Sequence, residues 1–308
     1  MKLNNILFAL SLSAFAFTGC RKEDALNLDD VNNIPGLGGD VWTANATDKW
    51  IADTLTTPWN ISVKYKWDQG ELESLLDKTL VPPYQSQVVP VMGSINTAWI
   101  NVYAAEAGLA FGKNLFPKWF VLVGSPAYNS DGSRLLGTAE GGNKVTLFDI
   151  NNFRIKGMPG YTLSDTAAVI RMFQTIHHEF GHILDQTVAK PISFSASSAK
   201  VYSTDWLNIS NADARDEGFV TPYAQSGKDD DWAETLSFML VNGRTWFENY
   251  VNSINYTGTT PNGTTAAEAR QRLRDKETAI VTYFKQYYAL NFYSLQSRSR
   301  NTIASLLY

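Results

Sequence analysis

The run His177-His178-Glu179-Phe180-Gly181-His182 holds every histidine of this 308-residue chain. Its last five residues read HExxH, a pattern that acts only from a helix. Residues four apart in an α-helix lie about one turn apart on one face, so His178 and His182 can aim two imidazoles at a single ion. The flanking sequence supplies that helix. Ser164 offers an N-cap, and Asp165 follows in the first turn, where a negative charge suits the helix dipole. Val169, Phe173, Ile176, Phe180, Ile183 and Leu184 recur at helical spacing as an apolar stripe. Thr175, His178, His182 and Asp185 form a second stripe, turned away from the first. One face is therefore predicted to enter a core and the other to present histidines to a cleft. His177 points about 100° away from His178, which places it at the rim of a site or on a backbone carbonyl. Asp185 shares the histidine face and is a candidate to orient a ligand.

Two histidines and a neighbouring carboxylate at this spacing suit a zinc ion whose bound water gives up a proton to Glu179. Such a site needs a third protein ligand. No further histidine exists and the single cysteine is Cys20, so a carboxylate is required. The segment from Tyr223 to Glu234 supplies candidates, and Leu236, Met239 and Leu240 continue it at helical spacing. Asp230 and Glu234 are four apart and share a face. One can ligate while the other orients a ligating histidine.

HEFGH, together with a tyrosine seven residues before an acid that itself stands four before a Glu, resembles the gluzincin peptidases, above all the catalytic domain of anthrax lethal factor. It also resembles zinc metallopeptidases carrying a Y-x6-E-D-[FW]-A-E segment. The likeness spans residues 164–240. It implies one Zn2+ per chain held by His178, His182 and the first acid, with Glu234 behind a histidine, Glu179 as general base and Tyr223 stabilising the transition state. Position 230 is Asp where the pattern has Glu, one methylene shorter. Either Asp230 ligates after a small helix shift or Glu234 takes the metal; the spacing from Tyr223 favours Asp230. The implied substrate is a peptide or peptide-like amide. A non-peptide amide or ester, or a non-catalytic substrate-binding role, are the alternatives. Glu179 speaks against the last, because holding a metal does not require a base.

Residues 1–19 read as an export signal. Lys2 precedes a nearly all-apolar stretch from Ile6 to Phe17, too short for an ordinary spanning helix. It ends at Gly19-Cys20, which resembles a bacterial lipobox, although Phe17 stands where Leu is usual. Cys20 would then be the lipidated first residue of the mature chain. Arg21-Lys22-Glu23-Asp24 resembles the surface-export signal of Bacteroidetes-type lipoproteins. HExxH and lipobox together resemble zinc metallohydrolase lipoproteins that accompany outer-membrane nutrient import. That resemblance implies an outer-membrane lipoprotein facing the exterior, beside a TonB-dependent transporter and its surface substrate-binding lipoprotein. A net charge of −4 leaves no footprint for nucleic acid.

Residues 20–44 are polar and broken by Asn32-Asn33, Pro35-Gly36 and Gly38-Gly39, the composition of a flexible tether. The remainder predicts an α+β, zincin-like fold. A mixed β-sheet lobe with the active-site helix occupies 45–189, and a smaller, mainly helical lobe at 190–308 carries the third ligand. Strands are expected at Ile61–Trp67, Trp119–Val123 and Lys144–Ile150, and helices at Glu71–Leu80, Thr97–Leu109 and Ala266–Tyr287. Similar zinc hydrolases set a strand such as Lys144–Ile150 at the sheet edge, above the HExxH helix, where an extended substrate adds as a further strand.

Overall fold

A computed structural model describes residues 43–308, apart from 69, 73–76, 129–133, 136 and 141–142. Cys20, the signal and nearly all of the tether lie outside the described residues. So does 73–76 of the helix expected over Glu71–Leu80; the stretch 70–72 before it forms a 3-10 turn.

Three expected strands form, each shorter than its expected range. They are β1 (Ser62–Lys64), β2 (Trp119–Leu122) and, after the short hairpin β3 (Ala127–Tyr128) and β4 (Arg134–Leu135), β6 (Lys144–Leu147). The fourth strand of the main sheet, β5 (Gly137–Glu140), was not anticipated. Sheet order is β1-β2-β6-β5: the first three run parallel and β5 runs antiparallel to β6, with Gly137 opposite Leu147. Lys144–Leu147 is therefore an inner strand, which corrects the expected edge position. The edge on that side is β5. A parallel strand buried on both faces needs a nearly continuous apolar run, and Phe120, Val121 and Leu122 are all buried.

Helix α1 begins at Ala46–Ile51 and continues through a π-turn to Trp59. Helix α2 opens at Gln85–Ile95 and runs through a π-turn at Asn96–Ile100 into Asn101–Ala107. It thus starts well before the helix predicted over Thr97–Leu109. Pro90, a residue that removes a helical N–H, sits inside it. Val88, Val91, Met92 and Ile95 are wholly buried around that proline, and their burial overrides the local cost. Gly108, at φ 83°, ends α2 and leads into α3 (Leu109–Leu115). Helix α4 (Thr166–Thr187) carries HExxH. The short α5 (Ser193–Ala196) and α6 (Asn211–Asp216) follow, then α7 (Lys228–Asn242), α8 (Arg244–Asn252), α9 (Ala266–Tyr288) and α10 (Phe292–Leu307).

Among the described residues the named strands all precede residue 148, and the elements after it are helical. The boundary expected at 189/190 is not a break in packing. Asn45–Tyr308 make one unit, and its main apolar core joins Trp99 and Phe120 to Trp232, Tyr283 and Leu307, with a smaller cluster around Val121, Val123 and Phe148. Phe180, within HExxH, inserts into an aromatic nest, its ring 5.1 Å from that of Trp99 and 5.0 Å from that of Tyr103, both edge-on. Among the described residues no helix is long and apolar enough to cross a membrane.

Candidate metal centre

The cap ahead of helix α4 lies two residues earlier than Ser164 would place it. Thr162 and Asp165 form a reciprocal capping box around a 3-10 turn at Leu163–Asp165, with the Thr162 amide 2.7 Å from the Asp165 carboxylate. Ser164 serves only as a hydrogen-bond partner of the Thr162 hydroxyl. The apolar stripe from Val169 to Leu184 is buried as predicted. Opposite it, the Nε2 atoms of His178 and His182 stand 3.1 Å apart.

Asp230, in the first turn of α7, brings its Oδ1 to 3.6 Å from His182 Nε2 and 3.8 Å from His178 Nε2. These are the described residues able to share one metal ion. A circle through three atoms at those separations has a radius of about 2.0 Å, the distance at which nitrogen and oxygen bind zinc. Three electron-pair donors converging so closely repel one another unless a proton or a metal ion lies between them. The donor set thus fits zinc without the helix shift that the shorter aspartate suggested.

Glu234 lies elsewhere, one turn along α7. Its Oε1 accepts from His178 Nδ1 at 2.8 Å and its Oε2 accepts from the Thr221 hydroxyl at 2.7 Å. With both oxygens engaged, Glu234 fixes the proton of His178 on Nδ1 and leaves Nε2 free to ligate. Burial opposes charge on His178, but the Glu234 bond, with Glu179 and Asp230 close by, outweighs it and holds the imidazole above its usual value. Burial also opposes charge on Asp230, yet hydrogen bonds from His182, Tyr223 and Ser226 keep its carboxyl below the ordinary range. Ser226 Oγ is 3.0 Å from Asp230 Oδ2. Burial pushes the Glu179 carboxyl up despite the two imidazoles beside it. Tyr223 stacks on His178 with ring centres 5.7 Å apart, and burial, with the Asp230 charge, raises its hydroxyl. Trp206 also packs against Tyr223, with ring centres 4.9 Å apart.

Two close helices hold this geometry. A Cβ on Gly181 would lie 3.1 Å from Ala233 Cα, so glycine lets α4 and α7 approach. Trp232 Nε1 donates to Gly181 O at 3.1 Å across the same crossing. The aspartates preceding Trp232 diverge. Asp229 pairs with Lys190 at the surface, at 2.5 Å. Asp230 faces the histidines. Asp231 is wholly buried on Lys276, 2.8 Å away and equally buried, and also accepts from Tyr202. Burial pushes the Asp231 carboxyl up and the Lys276 ammonium down, each against the pull of its partner.

His177 is not at the rim. It is fully buried between the Tyr103 hydroxyl, 3.2 Å from Nδ1, and the Ser299 hydroxyl, 3.3 Å from Nε2, and burial pushes its pKa down to about 3. Asp185 accepts from the Lys190 amide and ammonium, and so anchors the chain after α4 rather than a histidine. Thr221, Ser226, Trp206 and Lys276 escaped sequence reasoning. Only Thr221 and Ser226, flanking Tyr223, carried a signal of position.

Residues 40–293 match the family described as "Putative zinc-binding metallo-peptidase". The chain belongs to this family. Among solved structures, a protein of the same description from Bacteroides caccae ATCC 43185 superposes with a TM-score of 0.63 at 27% identity, over 86% of this chain and 94% of that one. No curated protein matches the chain. The fold of this metallopeptidase-family member is α+β and zincin-like, and the family description names zinc as the metal and peptidase as the activity.

Proposed function

We propose that this chain is a zinc peptidase of the HExxH gluzincin type, with one ion held by His178, His182 and Asp230. The observation that carries the reading is the convergence of those three side chains, with Glu234 locking the tautomer of His178 from behind. Zinc held there supplies Lewis-acid polarisation of a carbonyl and of an attacking water. The protein does the remaining work. Glu179, adjacent to a ligand and raised by burial, takes the proton from the water and hands it to the leaving amine. Tyr223, packed against His178 and Trp206, turns its hydroxyl from Asp230 to the oxyanion of the tetrahedral intermediate. Among the described residues β5 has no strand on its outer side, and that edge offers an extended peptide a strand to pair with.

The amino-terminal pattern extends the proposal: lipid on Cys20 anchors the enzyme to the outer membrane, facing outward. There it trims peptides for a TonB-dependent transporter and its surface substrate-binding lipoprotein.

Metal analysis of residues 21–308, joined to peptide cleavage, tests the reading. Wild type is expected to hold one zinc per chain. Asp230→Ala is expected to lose it, and Glu179→Gln to keep it while turnover disappears. Zinc retained by Asp230→Ala but lost by Glu234→Ala would reverse the ligand assignment. Substantial turnover in Glu179→Gln would end the mechanism.

A further inference from the structure

Arg171 and Met172 precede His178 and Glu179 by seven residues each. Seven residues are two helical turns, so this pair stacks on the same face of α4, about 10 Å along the axis from the metal-binding turn. Both line a partly open cavity of about 40 Å³ between α4 and the sheet, walled by Leu135, Phe148, Ile150 and Phe153. A water needs about 10–15 Å³ of such space, so the cavity has room for the head of a side chain, such as a carboxylate.

The charges in that cavity are unequally satisfied. Asp149 lines it, but its Oδ1 already accepts from Asn152 Nδ2 at 2.7 Å. The Arg171 guanidinium has neither ion pair nor side-chain hydrogen bond among the described residues, although the side chain is half-buried. A planar fork of donors without a partner, in an apolar-walled recess, matches a carboxylate.

We propose that Arg171 is a specificity-determining residue that receives the carboxylate of an acidic substrate side chain close to the bond cleaved. The proposal rests on the zinc-peptidase reading.

The test uses two peptide hydroxamates that differ only in Glu or Gln beside the metal-binding group, titrated calorimetrically into zinc-loaded protein. A charged hydrogen bond in such a recess should make wild type bind the glutamyl compound about ten- to a hundredfold more tightly. Arg171→Gln should abolish the preference, and Arg171→Glu should transfer it to a lysyl analogue. Equal binding of both compounds by wild type, binding of neither, or a preference kept by Arg171→Gln overturns the proposal. Cleavage of peptides without preference for an acid also removes this inference while leaving the peptidase reading intact. Failure to take up zinc removes both.

Discussion

Lys276→Met tests whether the buried ion pair behind the metal centre holds α7 in place. The two Asp231 oxygens lie 2.9 and 2.8 Å from Lys276 Nζ, and neither side chain meets solvent. The ammonium also donates to Gly218 O at 2.9 Å and sits 3.9 Å over the Phe219 ring. Methionine fills a similar volume, so the loss is electrostatic rather than a cavity. Asp231 would keep only the Tyr202 and Thr235 hydroxyls, and Gly218 O would lose its donor. Removing one partner of a buried pair costs about 3–5 kcal/mol. For a unit of this size each kcal/mol lowers Tm by roughly 2 °C, so melting followed by circular dichroism should fall by about 6–10 °C. Because Asp231 is joined by one peptide bond to Asp230, zinc affinity should fall with it. Lys276→Met/Asp231→Leu removes both charges, and apolar replacement of a buried pair is often neutral; this double variant should recover more than half of the lost stability. A single variant that melts within 2 °C of wild type, or a double variant no better than the single, would refute the argument that the pair anchors the helix.

Gly181→Ala should cost about 1–3 kcal/mol and weaken zinc binding, because its methyl group pushes against backbone at Ala233 and parts α4 from α7; unchanged melting and unchanged chelator competition would show that the crossing has slack. Glu234→Gln should weaken zinc by about ten- to a hundredfold, read by competition with a chromogenic chelator, since it removes the carboxylate from His178 Nδ1. Tyr223→Phe should lower kcat by about a hundredfold or more with zinc content unchanged; a change in KM alone would assign the hydroxyl to substrate binding instead.

How far the sequence could be read depended on whether its signals were periodic. The buried stripe of α4, the alternation in β1 and β6, the apolar run of β2 and the helical pattern of α9 were legible along the chain, and all formed. Helix α2 opens twelve residues before the predicted start at Thr97; local rules disfavour Pro90 inside it, but wholly buried neighbours on either side of the proline decide the outcome. Strand β5 carries Gly137 and Ala139, weak strand formers, and exists by pairing with β6, a contact no local pattern encodes. That pairing moved Lys144–Leu147 from the edge to the interior. The cap of α4 was misplaced by two residues because Thr162 and Asp165 bond to each other, a reciprocal arrangement that outranks a lone serine.

The site divides along the same line. Spacing on one helix sufficed to pair His178 with His182, since a turn of helix fixes their relation. Choosing between Asp230 and Glu234 required the crossing of α4 and α7, which a single chain pattern cannot supply. The consecutive acids at 229–231 look like a solvated helix start, and that description holds only for Asp229. An α-helix turns each successive side chain by about 100°. Three neighbouring aspartates must therefore face three environments: here solvent and Lys190, the two imidazoles, and the core around Lys276. The outward and inward acids each meet a cation, which leaves the middle one facing the histidines with only hydroxyl and imidazole partners. A buried lysine forty-five residues downstream thus bears on which acid can reach a metal. Because Asp230 and Glu234 share a face, exchanging them at the metal site would require sliding α7 by about one turn, roughly 6 Å, along its axis, and Asp231 on Lys276 opposes that slide.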